Sequence, residues 1–197
     1  MGNRKLWLID AGYLFNARHS VHGGYEFNYL KLKNRLEQEG AIWRTYYFNS
    51  FNATTESQDS FHNWLMSAPP RGPKIIPKLY PLKSQRADRA WCETCREMVS
   101  LTCPHRGQQG GHRIYNLVQK GVDVGIATTA LIHQDNYDTL MLSSGDGDLL
   151  DAIDYLTEHG KRLELVVFDQ GVSAELQCRA DRVHFINDFS DEVASDP

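Results

Sequence analysis

The chain lacks any long hydrophobic run, which excludes proteins built around a transmembrane helix. No stretch of its 197 residues approaches the ~18 consecutive apolar residues that a membrane span needs. Near the N-terminus, only four apolar residues separate Lys5 from Asp10, too few for the apolar region of a signal peptide. We therefore expect a protein with neither a membrane segment nor a secretion signal.

Cysteine is also scarce: the chain has four, and three of them are clustered within residues 92–103. This distribution is not the disulfide framework of a small secreted protein, so a reducing cytoplasm is the simplest expectation. Internal repeats and low-complexity tracts are missing as well. A chain of this length with 41% hydrophobic residues can form one domain with a substantial core, with room for a small insertion.

The chain has no overall excess of positive charge, because its formal net charge is −4. Residues 71–120 nevertheless contain ten Lys or Arg against three Asp or Glu, whereas the remainder contains eleven against twenty-two. This middle segment has the charge of a nucleic-acid contact, and Tyr80, Trp91 and Tyr115 within it are candidates to stack on bases. An equally open interpretation is a solvated basic face whose aromatic residues belong to the core.

Apolar runs of strand length alternate with helical patterns along the chain. Strands are predicted at residues 5–9, 42–48, 74–80, 139–144, 163–168 and 183–186. Helices are predicted at residues 27–36, 57–66, 114–134 (one or two helices), 148–159 and 172–179. Pro77 indicates that its strand lies at a sheet edge, and Gly160 is placed to end a helix. This alternation predicts an α/β fold with a parallel sheet and helices on both faces.

Aspartates stand at the ends of two predicted strands and at the start of a helix. Asp10 ends the first strand, residues 143–148 (SSGDGD) carry Asp146 and Asp148 beyond another, and Asp123 precedes a helical run. Because ligands bind at the carboxyl ends of parallel strands, these carboxylates predict a site for Mg²⁺ or Mn²⁺. Each aspartate alone is explained as a cap or turn residue, but together they favour the metal.

A second metal site is predicted in a glycine-rich, polar stretch at residues 88–112, which we interpret as a zinc-binding insertion. Cys92 and Cys95 have the spacing of two thiolates that hold one tetrahedral ion, and Cys103 is a third ligand. The fourth ligand is either His105 or His112. Four protein ligands leave no open position for substrate, so this zinc is structural. A redox-active pair of cysteines and a loop with unrelated cysteines are the alternatives.

Three ordered motifs resemble those of the NYN domains, in the LabA-like branch of the PIN-like nuclease superfamily. They are residues 8–14 (LIDAGYL), 120–124 (KGVDV) and 142–148 (LSSGDGD). The resemblance implies a Rossmann-like, three-layer α/β fold with a central parallel sheet, here carrying the Cys/His insertion. It covers a single domain at residues 1–190, followed by a frayed tail at 191–197. The chain departs from many relatives at Tyr13, where they have asparagine.

Characterised NYN proteins are mainly metal-dependent ribonucleases, so the resemblance implies hydrolysis of RNA phosphodiester bonds with Mg²⁺ or Mn²⁺. Carried over by motif, the catalytic and metal-binding residues are Asp10, Asp123, Asp146 and Asp148. From the basic segment, we predict four contacts to substrate phosphates: Lys78, Lys83, Arg113 and Lys120. Lys120 also has a simpler interpretation as an exposed residue at a helix start.

Two other classes of function remain open. The first is a non-catalytic RNA-binding or adaptor module that keeps the fold and contacts RNA through the insertion. The second is a phosphotransfer enzyme or receiver, although nothing at Asp10 resembles the paired aspartates of phosphatases with that chemistry. The edge strand at Pro77 and exposed aromatic residues leave a homodimer open. The sequence specifies neither the RNA nor the position of the cut.

Overall fold

The computed structural model describes residues 3–51, 55–103 and 112–196. The strands among these residues are β1 (Lys5–Asp10), β2 (Ile42–Phe51), β3 (Ile76–Pro81), β4 (Lys83–Arg86), β5 (Arg89–Cys92), β6 (Glu97–Ser100), β7 (Tyr115–Val118), β8 (Thr139–Ser143), β9 (Arg162–Val167) and β10 (Arg182–Phe185). The helices are α1 (Ala11–Ala17), α2 (Tyr29–Glu37), α3 (Glu56–Met66), α4 (Val122–Ile132), α5 (Leu150–Glu158), α6 (Ala174–Arg179) and α7 (Ser190–Val193).

Six of these strands form the central layer, in the order β10-β9-β8-β1-β2-β3, and every neighbouring pair is parallel. Helices cover both faces, so the predicted three-layer α/β fold with a parallel sheet is confirmed. Strand β3, which contains Pro77, lies at one edge as its proline predicts. No helix among the described residues is long and apolar enough to cross a membrane.

Alternate residues of β1 supply the two hydrophobic cores between these layers. Leu6 and Leu8 pack under α4 and α5, while Trp7 and Ile9 face α1, α2 and α3. All six residues of β1 are buried. A strand covered on both faces is apolar along its whole length, which is why its pattern predicts a buried strand.

An arm, described at residues 82–103 and 112–120, follows β3 at the carboxyl edge of the central sheet. Within it, β4 pairs antiparallel with β7, and β5 pairs antiparallel with β6. The prediction of helix throughout 114–134 is therefore wrong for residues 115–118, which form β7. The predicted zinc insertion at 88–112 includes the hairpin β5–β6 rather than loop alone, and residues 104–111 lie outside the described part of the chain.

Part of the segment at 191–197, where a frayed tail is predicted, contacts residues far away in the sequence. Val193 is fully buried and its carbonyl accepts a 2.8 Å hydrogen bond from Asn28. Ala194 forms an isolated bridge with Phe27. At Gly160, the prediction of a helix end is confirmed, because this glycine has a φ of +80° and directly follows His159, the C-cap of α5.

Candidate active site

Asp10 lies at the carboxyl edge of the sheet, beside the loop that follows β8. Because Ile9 is in register with Ser143, the chain segments that follow these residues are neighbours. The Asp10 carboxylate is held by two contacts: Oδ1 accepts from the Tyr13 amide at 3.2 Å, and Oδ2 accepts from Ser144 Oγ at 3.4 Å. Asp10 is therefore both the N-cap of α1 and part of the edge where ligands bind in such sheets.

Asp146 and Asp148 lie on the loop between β8 and α5. Ser144 Oγ, which contacts Asp10, also accepts a 3.2 Å hydrogen bond from the Asp146 amide. Asp146 Oδ1 in turn accepts from the Asp148 amide at 2.9 Å. Both of these aspartates are exposed, whereas Asp10 is buried. Ser144 therefore links the two strand ends, and the three carboxylates line one short stretch of the edge.

Asp123 joins this group from the first turn of α4, and pKa shifts report the electrostatic coupling. Burial raises the pKa of Asp123, and the negative charges of Asp146 and Asp148 raise it further. Burial likewise raises the pKa of Asp10 and outweighs the hydrogen bond from Tyr13, which lowers it; the charge of Asp123 adds a smaller rise. Asp123 is therefore close enough to each of the other three predicted aspartates for their negative charges to repel.

A preassembled metal cage is missing from the described residues. Within residues 3–51, 55–103 and 112–196, no three His, Cys, Asp or Glu side chains form a group able to hold an ion. The donors nevertheless suit a hard cation, because they are carboxylate oxygens. Asp146 and Asp148 are also exposed, so they can change rotamer at little cost.

Tyr13 and the loop after β9 also belong to this edge, which the sequence patterns do not predict. Tyr13 Oη donates to the carbonyls of Phe168 and Gln170 at 3.1 and 3.2 Å. The Ser173 amide donates to the Gly145 carbonyl at 3.0 Å. These contacts support the loop that carries Asp146, and no local sequence signal reveals them because they join segments about 30 to 160 residues apart.

Gly145 is required where these two loops touch. A Cβ atom at this position would lie 1.8 Å from the Gly171 carbonyl oxygen and 2.8 Å from Cε2 of Tyr13. Because the first of these atoms belongs to the backbone, Gly145→Ala is expected to lower the free energy of unfolding by about 2 kcal/mol through overpacking. Urea unfolding monitored by circular dichroism measures this difference.

Gly147→Ala is the matched control for that substitution, because it changes the same loop. Its added Cβ would lie 3.6 Å from the nearest atom, Ser173 Oγ, which is an ordinary van der Waals distance. We expect a change within about 0.5 kcal/mol for this variant. Equal effects of the two substitutions would contradict the assignment of a steric role to Gly145.

The predicted basic contacts occupy two different environments. Lys83, Arg113 and Lys120 are exposed. Lys83 is in register with Val118 on β7, so Lys83 and Lys120 both lie near the start of α4, which bears Asp123. Lys78 instead packs inward: its Nζ donates to Thr129 Oγ1 at 2.9 Å and lies 5.0 Å from the Tyr46 ring centroid.

Within the described part of the arm, the three cysteines and His112 form two pairs. Hydrogen bonds from the backbone and side chain of Cys95 lower the pKa of the Cys92 thiol. Arg96, directly after this pair, has a φ of +55°, and its amide donates to the Cys92 carbonyl at 2.8 Å. The second pair brings Cys103 Sγ within 3.4 Å of His112 Nδ1. His105 lies outside the described residues.

A sequence model of the NYN domain matches residues 7–187, nearly the whole chain. The chain belongs to the NYN domain family. This family is part of the PIN-like nuclease superfamily, which agrees with the resemblance carried by the three motifs. The matched region includes all four aspartates and the arm.

The NYN domain also has a counterpart among solved structures. VPA0982, a protein of unknown function from Vibrio parahaemolyticus RIMD 2210633, has 18% sequence identity and a TM-score of 0.66, with 98% of this chain and 97% of that chain covered. This similarity supports the fold alone. Sir2 with a p53 peptide and NAD⁺ has 11% identity and a TM-score of 0.43 over 96% and 91% of the two chains, too low to carry an argument. No curated protein matches this NYN domain.

Proposed function

We propose that this NYN domain is a ribonuclease that hydrolyses RNA phosphodiester bonds with Mg²⁺ or Mn²⁺ at Asp10, Asp123, Asp146 and Asp148. The observation that carries the proposal is the gathering of these carboxylates at one sheet edge, where Ser144 joins Asp10 to the loop of Asp146. Burial raises the pKa of Asp10 and of Asp123 there, and repulsion between the carboxylates adds to the rise. Such repulsion costs stability unless a cation binds there. Membership of the PIN-like nuclease superfamily supports the same conclusion.

The bound divalent ion would supply a nucleophilic water and neutralise the charge that develops on the phosphate. The protein orients the carboxylates. Asp10 is fixed by Tyr13 and Ser144, so it is a ready ligand, while the exposed Asp146 and Asp148 adjust to the ion. Asp123 either binds the ion or positions a water molecule from the start of α4.

The arm supports RNA as the substrate, because it leaves from the same edge as the aspartates. Lys83, Arg113 and Lys120 would contact phosphates on either side of the cut. Lys78 remains a proposed contact, although binding a phosphate would require it to leave Thr129. Trp91 and Tyr115 are 59% and 49% exposed, so their rings are accessible to stack on bases.

A structural zinc ion in the arm is part of the same proposal. Cys92, Cys95 and Cys103 are the proposed thiolate ligands, and either His105 or His112 is the fourth. The lowered pKa of the Cys92 thiol and the approach of His112 to Cys103 support this donor set. The exposed hairpin β5–β6 has little buried surface of its own, so a bound ion would stabilise it.

The exposed rings and basic charge of the arm also favour a second function, a non-catalytic RNA-binding or adaptor module. The arm can hold RNA whether or not the aspartates cut it. For either function we propose a cytoplasmic location, where the thiols stay reduced. A homodimer through the edge strand β3 also remains a proposal.

Cleavage of a panel of structured and single-stranded RNAs by the purified protein tests the proposal. We expect cleavage with Mn²⁺ or Mg²⁺, none with EDTA, and recovery when the ion is restored in excess. Zinc content is measured in the same preparation before EDTA is added. Tight, salt-dependent binding without cleavage of any RNA would instead establish the adaptor function.

A further inference from the structure

A pocket of about 530 Å³ opens directly beside Asp10, on the face of the sheet that α1, α2 and α3 cover. Ala11, the residue after Asp10, lines it. Tyr47 and Asn49 also line it, and they flank Phe48, the residue of β2 that is in register with Asp10. Because neighbouring strands are ~4.8 Å apart, the pocket begins within one strand spacing of the aspartate edge.

The electrostatics of the pocket agree with this placement. Burial raises the pKa of Tyr47 to about 12, and the negative charge of Asp10 adds to the rise. Burial also raises the pKa of Tyr29 well above its usual value, and the charge of Asp10 is again a contributor. Both phenols are therefore within electrostatic reach of the carboxylate.

Aromatic side chains from four separate segments form the walls. They include Phe15, Phe27, Tyr29, Tyr47, Phe61 and His62. Tyr47 meets Tyr29 and Phe61 edge to face, at interplanar angles of 83° and 70°, so it is not stacked in parallel on either ring. Because these rings line the pocket, the ring surfaces that border the cavity are available to a flat ligand.

The polar groups of the pocket are mostly neutral. Asn28, Asn49 and Gln58 contribute amides, and burial lowers the pKa of His62, so its imidazole is neutral at pH 7. The only cation lining the described part of the pocket is Arg18, whose guanidinium is bound to Glu26 at 2.9 Å. This environment suits a flat ligand with neutral donors and acceptors better than a phosphate.

We infer that this pocket binds one unpaired nucleobase of the RNA substrate, next to the phosphate that is cut. The inference rests on the proposed ribonuclease function and adds a base-reading subsite to it. Unpaired bases of single-stranded RNA are recognised by stacking on aromatic rings and by hydrogen bonds to their edges, and the pocket offers both. Its volume is large enough for a base with its ribose.

Two substitutions of Phe61 test whether binding depends on the aromatic face of this side chain or only on the space that the side chain fills. Phe61→Leu keeps an apolar side chain on α3 but removes the aromatic face, whereas Phe61→Trp keeps a face. We expect the leucine variant to bind single-stranded RNA about tenfold more weakly and the tryptophan variant to bind as the wild type does. Tyr155→Ala is the control, because Tyr155 is an exposed aromatic residue on α5, away from the pocket.

Binding is measured without divalent ions by the fluorescence of short RNAs that carry 2-aminopurine at successive positions. Stacking in the pocket would quench the fluorescence of 2-aminopurine at one position of the RNA, and Phe61→Leu would abolish that quenching. An oligonucleotide with an abasic residue at that position should bind about tenfold more weakly to the wild type but not to Phe61→Leu. Equal quenching and affinity in the wild type and Phe61→Leu would overturn the inference, as would equal binding of the abasic RNA.

Cleavage by the same variants distinguishes failure of this inference from failure of the proposed function. If the pocket reads a base, Phe61→Leu changes the base preference at one position beside the cut, while Tyr155→Ala does not. If Phe61→Leu cleaves RNA in the presence of metal with an unchanged base preference, the inferred role of the pocket is wrong, while the proposed ribonuclease function stands. If 2-aminopurine fluorescence is quenched at one position but no RNA is cleaved, the proposed ribonuclease function is wrong, while the pocket still binds a base. Circular dichroism confirms that each variant is folded.

Discussion

Replacing Asp146 by asparagine is expected to lower the rate of metal-dependent RNA cleavage at least about a hundredfold, because loss of a ligand should cost no less than loss of an outer-shell partner. The asparagine keeps the shape of the side chain, and its amide oxygen can still accept from the Asp148 amide at the start of the following turn. The charge that holds the ion is lost. Single-turnover cleavage with saturating Mn²⁺ measures the effect on the chemical step.

Asp135→Asn is the matched control for this charge. Asp135 is an exposed aspartate in a short turn before β8, at the opposite end of that strand from Asp146. We expect its cleavage rate to stay within about twofold of the wild type and both variants to unfold as the wild type does. If the Asp146→Asn variant cleaves RNA at the wild-type rate, Asp146 is not part of the catalytic site.

Asp146→Asn should also reduce the electrostatic repulsion among the four aspartates of the candidate site. Asp146 is one of the charges that raise the pKa of Asp123, so removing it is expected to bring that pKa closer to its ordinary value. An asparagine variant that is inactive but as stable as the wild type, or slightly more so, would fit a site organised for binding a cation rather than for folding.

Much of the fold follows from local sequence patterns. The run of apolar residues in β1 predicts a buried strand, and Asp10 follows it directly, so the position of this carboxylate at the sheet edge is predictable too. Residues 115–118 are harder to predict, because a segment of only four residues, three apolar and one polar, fits either a helix or a strand. Their strand conformation depends on pairing with β4, about 30 residues earlier in the chain.

The site was less predictable than the sheet that carries it. Asp10 and Asp146 are found from the sequence because each follows a strand, and strand order then brings β1 and β8 together. The support that Tyr13 gives to the loop after β9 has no local signal. The same is true of the aromatic pocket, since Tyr29, Tyr47 and Phe61 come from α2, β2 and α3 and meet only after folding.

A buried charge cluster that includes Lys5, the first residue of β1, accounts for the second large effect that we expect. Glu164 Oε2 accepts from Lys5 Nζ at 2.8 Å and lies 3.1 Å from His184 Nε2. The three side chains are only 12%, 4% and 6% exposed. Burial alone would raise the pKa of Glu164, but the hydrogen bonds and positive charges of His184 and Lys5 hold it at about 2.

Glu164→Gln is expected to lower the free energy of unfolding at pH 7 by about 3–5 kcal/mol, because it leaves the Lys5 ammonium buried without a counter-ion. Urea unfolding of the wild type and the variant measures this difference. As a control, Glu192→Gln removes an ion pair with Arg35, but Glu192 is 60% exposed, so we expect a cost below about 1 kcal/mol. Similar losses in the two variants would contradict a special role for the buried cluster.

The pH dependence provides an independent check on Glu164. Its pKa is lower in the folded protein than its ordinary value of 4.5, so the unfolded chain takes up a proton first as the pH falls. The stability that Glu164 contributes is therefore complete above pH 4.5 and is lost as the pH falls through about 2. The difference between the wild type and Glu164→Gln should shrink over this interval, and a difference that stays constant would show that the charge is not its cause.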